Sequence, residues 1–202
     1  MGLPGFGLGL FCIFPLLSNS FITLFELLPS DSILIKTAPL LDISAGLSEL
    51  KNVKNIHVIA LENEVKELLF EIHKNYSGEI TIKTANILKE KTETFEFVLG
   101  SETEFPSYNL PQKYLYEPNS AIMKSGGFDE VSTVFKIHKL HKHSHLYTSE
   151  TLIDFPGRSF EVEKVISYNK NEMKSCRNST SNSSSNHHHV ITAMALEKIL
   201  FQ

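Results

Sequence analysis

Charge is distributed along this chain in a way that bounds what can fold. The 202 residues carry 19 Lys+Arg and 23 Asp+Glu. None of these charges lies in Met1–Phe25, and Ser175–Gln202 holds only Arg177, Glu197 and Lys198. The other 39 fall in the 149 residues Glu26–Lys174, the density of an ordinary globular domain. A folded body is therefore expected within 26–174, between two ends of different character. The formal net charge of -4 argues against a generic polyanion binder but leaves room for a local basic patch. Two cysteines, Cys12 and Cys176, cannot build a disulfide framework or a four-cysteine zinc site.

The ends carry little chemistry. Met1–Phe25 is apolar but broken by Gly2, Pro4, Gly5, Gly7, Gly9 and Pro15. It lacks the positive start of a secretory signal, since the first cation is Lys36. The breaks also make it a marginal membrane span, which needs about 20 apolar residues. A cytoplasmic chain is expected, with export or anchoring as the competing reading. Gly5-Phe6-Gly7-Leu8-Gly9 has phosphate-loop spacing, but four residues leave no room for the strand that must feed such a loop. Ser175–His189 holds six Ser, three Asn and three His, a composition that cannot offset chain entropy, so a disordered tail is expected. Its sequons at Asn178 and Asn182 would matter only in an exported chain.

The middle reads as alternating strand and helix. Ile33–Thr37 is a short β-rich run, and Asp42 is placed to cap a helix carrying Leu47 and Leu50. Asn55–Leu61 is nearly continuous apolar sequence, as in a strand buried on both faces of a parallel sheet. Val65, Leu68, Leu69 and Ile72 recur at helical spacing, which predicts a helix over Glu64–His73 capped by Asn63. Ile80–Ile87 and Thr94–Leu99 follow as two strands joined by a hairpin. This order implies βαβ units ending in an antiparallel pair, with ligands expected beyond the strands' carboxyl ends. Lys36 at that rim is either a cleft residue or a solvated edge cation. Asp42 is better explained as a helix cap.

Gly100–Gln112, with Pro106 and Pro111, reads as a linker. Beyond it a short helix is expected over Ser120–Lys124, capped by Asn119, and a second from Asp129 through Phe135, then a strand over Ser159–Ser167. Between Glu130 and Glu150 there is no acid, while Lys136, Lys139 and Lys142 are present. Tyr114, Tyr116, Phe135 and Tyr147 flank this stretch, a combination suited to phosphate contact and base stacking on RNA. A solvated charged loop is the competing reading. His138, His141, His143 and His145 do not form a zinc set by spacing, and no cysteine is near, so no metal is expected.

Several of these strings resemble a known family. Ile33–Ser44, His57–Ala60 and Asn63–Leu69 are similar to the late strands of bacterial class I S-adenosylmethionine-dependent methyltransferases. Tyr114–Lys124, Ser144–Ser149 and Asp154–Arg158 resemble their C-terminal module, a ferredoxin-like, THUMP-like domain. The likeness runs from about Leu27 to about Lys174. It implies an α/β chain: a partial Rossmann-like methyltransferase sheet over 26–100, a linker over 101–112, and a small α+β THUMP-like domain over 113–174. Residues 1–25 and 175–202 stand outside it. It also implies S-adenosylmethionine as cofactor and RNA as substrate, with Lys36, Lys124, Lys139, Lys142, His145, Tyr147 and Arg158 as candidate substrate contacts. Such enzymes carry their glycine-rich donor loop, ribose-holding acid and Asp-Pro-type catalytic motif upstream of the first matched strand. The expectation is therefore an internal piece of a larger gene, inactive alone, whose uncovered sheet edge promotes self-association. A non-catalytic RNA-binding or protein-interaction module is the alternative.

Overall fold

The computed structural model describes residues 30–101 and 106–166, and the backbone of 11–13, 189–191 and 194–195. The glycine-rich start and the Ser/Asn/His-rich tail with its sequons otherwise lie outside the described residues. The chain divides into two compact units. One comprises Met1–Ser101 with Ser120–Gly126, the other Glu102–Asn119 with Gly127–Gln202.

The first unit is built on a six-stranded sheet. Its strands are β1 (Phe11–Ile13), β2 (Ser32–Thr37), β3 (Val53–Leu61), β4 (Glu64–His73), β5 (Thr81–Ile87) and β6 (Thr92–Val98). They lie in the order β1-β2-β4-β3-β5-β6. β1 runs parallel to β2, and β3 runs parallel to β5. β4 is antiparallel to both β2 and β3, and β6 is antiparallel to β5. One face is the core: Ile33, Ile35, Ile56, Val58, Leu68, Phe70, Ile72 and Ile82 are all buried. Complete burial of side chains such as Phe70 and Leu68 contributes about 1.5–3 kcal/mol each relative to exposure. The helix α1 (Ile43–Glu49) packs here through Gly46, where a Cβ would come within 2.5 Å of the Phe70 ring. Asp42 caps α1, as expected, by accepting the Ser44 N–H at 2.8 Å.

Two expectations are overturned in this sheet. Glu64–His73 is a strand, not a helix. Glu62 and Asn63 both have positive φ (50° and 63°), which makes a two-residue turn whose twist suits a tight hairpin. Apolar residues stand on both faces of β4, and their sum imitates helical spacing. The buried set is Leu68, Phe70 and Ile72, with period two. β3 likewise is not buried on both faces: Ile56, Val58 and Ala60 face the core, while His57 and Ile59 are half-exposed. Asn63 does cap a helix, but a distant one. Its Oδ1 accepts the Ser120 N–H at 2.7 Å at the start of α2 (Ser120–Ser125). This sets Ala121 and Ile122, both fully buried, on the sheet of the first unit.

The second unit carries β7 (Tyr114–Pro118), α3 (Phe128–Phe135), β8 (His138–Lys139), β9 (Tyr147–Ser149), β10 (Gly157–Val162), β11 (Val165–Ile166), β12 (His189–Ile191) and β13 (Met194–Ala195). Its main sheet has the order β12-β10-β7-β9-β8, and β11 and β13 form a separate pair. The single strand expected over Ser159–Ser167 is thus two, β10 and β11. Tyr116, Tyr147 and Phe135 pack around Phe155, with ring centroids 5.1, 6.3 and 5.3 Å from it. The Tyr116 hydroxyl donates to Thr151 O at 2.9 Å and accepts the Ile153 N–H at 3.2 Å, tying down the segment after β9. α3 starts after Gly127, with no side-chain cap, and Asp129 lies in its first turn. Gly157, at φ 153°, enters β10 where a Cβ would lie 2.2 Å from Glu117 O, so only glycine fits.

Asn63 holds a left-handed turn position and caps α2, and substitutions separate the two roles. Asn63→Gly keeps the turn and loses the cap, costing about 1 kcal/mol. Asn63→Ala loses both, and a further ~1 kcal/mol is expected from the positive φ. Denaturant titration of the three proteins checks the order; equal stability of the two variants would remove the turn from the account.

Candidate functional site

The candidate contacts fall in both units, and most are already engaged. In the first unit, Lys36 projects from the sheet face opposite the core, and its Nζ lies 2.8 Å from the Glu67 carboxylate. Lys124, on α2, donates to Leu41 O at 2.8 Å. The rim at the carboxyl ends of β2, β3 and β5 is a connected network. Asn63 N–H donates to Asn86 Oδ1 at 2.9 Å, and Asn86 Nδ2 donates to Glu93 Oε2 at 3.1 Å. Asp42 accepts from the Ser44 hydroxyl and backbone N–H, and these bonds hold its carboxyl below the ordinary value. These rim side chains hold the fold together internally.

A second polar cluster lies on the face opposite the core. A bulge at Lys54 brings Asn55 opposite Glu71. Asn55 Nδ2 donates to Glu71 Oε2 at 2.7 Å, with His57 Nε2 at 3.2 Å from the same oxygen and His73 Nε2 2.6 Å from Oε1. Burial raises the Glu71 carboxyl, but the bonds from His73, Asn55 and His57 outweigh it and bring it down to about 2. Glu71, His57 and His73 were not singled out by sequence. The bulge that aligns them leaves no mark in residue type.

In the second unit the structure gathers Lys139, Lys142, His145 and Tyr147 with Phe128 and Asp129. Lys139 is buried, its Nζ 2.6 Å from Asp129 Oδ1 and 3.3 Å from Lys142 O. Tyr147 is also buried. Its hydroxyl donates to Phe128 O at 2.7 Å, and burial with the nearby Asp129 and Glu130 charges raises its pKa far above the ordinary value. Lys139 and Tyr147 are thus buried, and both side chains are engaged within the unit. Lys142 is exposed, and His145 is half-buried. Burial, with the charge of Lys139, holds the His145 imidazole below its ordinary pKa. Arg158 is exposed, pairs with Glu117 and lies over the Phe160 ring. Among the described residues no group of three His, Cys, Asp or Glu is arranged to hold a metal ion, and no helix is long and apolar enough to cross a membrane.

Comparison with known proteins adds two findings. A family profile for a ferredoxin-like domain matches residues 114–156. A crystal structure described as that of a putative methyltransferase from Porphyromonas gingivalis W83 is similar, with 36% identity and a TM-score of 0.70. The match covers 78% of this chain and 41% of that one, so this chain spans under half the length of the relative. No curated protein matches. The chain is therefore a mixed α/β protein with a ferredoxin-like domain, related to a methyltransferase described in those terms.

Removing the Lys139 ammonium leaves a desolvated lining and an unpaired Asp129, so Lys139→Met is expected to cost about 1–3 kcal/mol. Lys142→Ala should change stability by less than about 0.5 kcal/mol. Thermal melts of both variants check the contrast. Glu71 gives a pH signature of its own. Its folded pKa is below the ordinary value of 4.5, so its stabilisation is present above pH 4.5 and lost as the pH falls toward 2. Glu71→Gln should flatten stability across that acid window. An unchanged acid limb would contradict the cluster.

Proposed function

We propose that this chain corresponds to the late sheet strands and the C-terminal THUMP-like module of a Rossmann-like, class I S-adenosylmethionine-dependent methyltransferase acting on RNA. The observation that carries the reading is the 36% identity to the solved relative over 78% of this chain. The ferredoxin-like match over 114–156 supports the module. Exposed Lys136 and Lys142, with His141 and His143 nearby, support an anionic substrate at the second unit. Methyl transfer depends on holding the donor sulfonium in line with its acceptor. The described rim polar groups Asn63, Asn86 and Glu93 are bonded to one another. The last strand of the first unit's sheet, β6, favours self-association through its edge.

The alternative, a non-catalytic RNA-binding or protein-interaction module, rests on the same basic loop without the donor. Isothermal titration with S-adenosylmethionine and anisotropy with a mixed-sequence RNA separate the two. Measurable donor heat favours the methyltransferase reading and its absence favours the module, while under both readings RNA affinity is expected to fall at least tenfold between about 50 and 200 mM salt. Salt-independent RNA binding would remove the electrostatic assignment.

A further inference from the structure

Phe128 and His145 stack with ring centroids 3.8 Å apart and planes 28° apart. The rings around Phe155 in the core are 5.1–6.3 Å away from it. Both stacked residues are half-buried, so the pair sits at the surface and not in the interior. Phe128 is fixed from behind, because its carbonyl accepts from the buried Tyr147 hydroxyl at 2.7 Å. His145 is fixed by the turn before it, where Ser144 N–H donates to His141 O at 2.9 Å and Leu140 N–H donates to Leu146 O at 3.1 Å. Its Nδ1 is buried without a hydrogen-bond partner. A proton there would be a stranded donor, so the neutral ring carries its proton on Nε2. The same turn presents Lys142, whose carbonyl is held by Lys139 Nζ while its own side chain is exposed.

We infer that the Phe128–His145 stack is a platform for one unpaired RNA base, with the Lys142 ammonium taking the adjoining phosphate. This rests on the RNA reading above and deepens it by naming the strand type and the contact. A stacking platform needs a flat side chain held rigidly at the surface, and the backing ring and the turn supply that here. Bases in a duplex keep their faces inside the stack, so such a platform discriminates for single strands. The contact is to a ring face, which every base has, so little sequence preference follows. A metal reading of the same loop lacks support: the His141 and His143 rings lie 5.4 Å apart, and His141 Nδ1 is occupied by the His143 N–H at 3.3 Å.

The test is anisotropy with a labelled single-stranded RNA and a duplex of equal length. His145→Ala should weaken single-strand binding about tenfold and leave duplex binding unchanged, as loss of one stacked base implies. His145→Phe should restore the single-strand preference, which also guards against a folding defect in the alanine variant. Lys142→Ala should weaken both ligands and reduce the salt slope by about one. Wild-type RNA binding that His145→Ala leaves intact, or weakens equally for both ligands, overturns the platform while the RNA reading stands. Absence of RNA binding by the wild type overturns the RNA reading itself.

Discussion

The turn at Glu62-Asn63 is the constraint on which the first unit depends. Two consecutive residues with positive φ reverse the chain within two positions, so β4 must return directly beside β3. β4 lies between β2 and β3, and β2 and β3 point the same way without touching. The α1 connection then crosses over a strand that comes later in the chain. The core follows from that insertion: Phe70, at the middle of β4, meets Ile35 and Ile56 as its register partners and receives Gly46 from α1. The turn also offers the Asn63 side chain to the first N–H of α2. One asparagine therefore sets both the strand order and the seat of a helix 57 residues away.

That long reach explains why β4 was illegible in the sequence. Val65, Leu68, Leu69 and Ile72 satisfy a helical template, and Asn63 is a good helix cap by type. What decides against the helix is tertiary. Phe70 completes a period-two set facing a core, and Glu62-Asn63 forms a left-handed turn that the hairpin twist rewards. The legible elements were those with local causes. β2 is a short apolar β-rich run, β6 alternates cleanly, Asp42 caps α1 through Ser44 two residues on, and α2 is a short run ended by two glycines. The polar cluster at Glu71 was illegible for a different reason: a bulge at Lys54 shifts Asn55 into register with it, and a bulge has no residue signature of its own.

The second unit shows the limit of reading charge by counting. Lys136, Lys139 and Lys142 look equivalent in sequence, a run of cations at spacing three. Lys139 falls on β8, where Tyr147 is its register partner and Asp129 its counter-ion. Its charge is neutralised internally, and its contribution is to join α3 to the edge of the sheet. Lys136 occupies the left-handed position that ends α3, and Lys142 sits in the turn; both are exposed. A short strand between two loops has sorted three like residues into one structural cation and two solvent-facing ones.

The same sorting applies to the aromatic residues, and it narrows what an RNA contact here could be. Tyr116 and Tyr147 were flanking rings by sequence, yet both are fully buried, with hydroxyls satisfied by Thr151 O and Phe128 O. A ring whose hydroxyl is already bonded inside the protein, and whose face packs on Phe155, offers nothing to a base. Tyr147 acts indirectly, by fixing the backbone at Phe128 so that a smaller ring can sit against it at the surface. The surface chemistry of the unit is therefore carried by residues that look minor in the sequence, and it is held in place by residues that look functional.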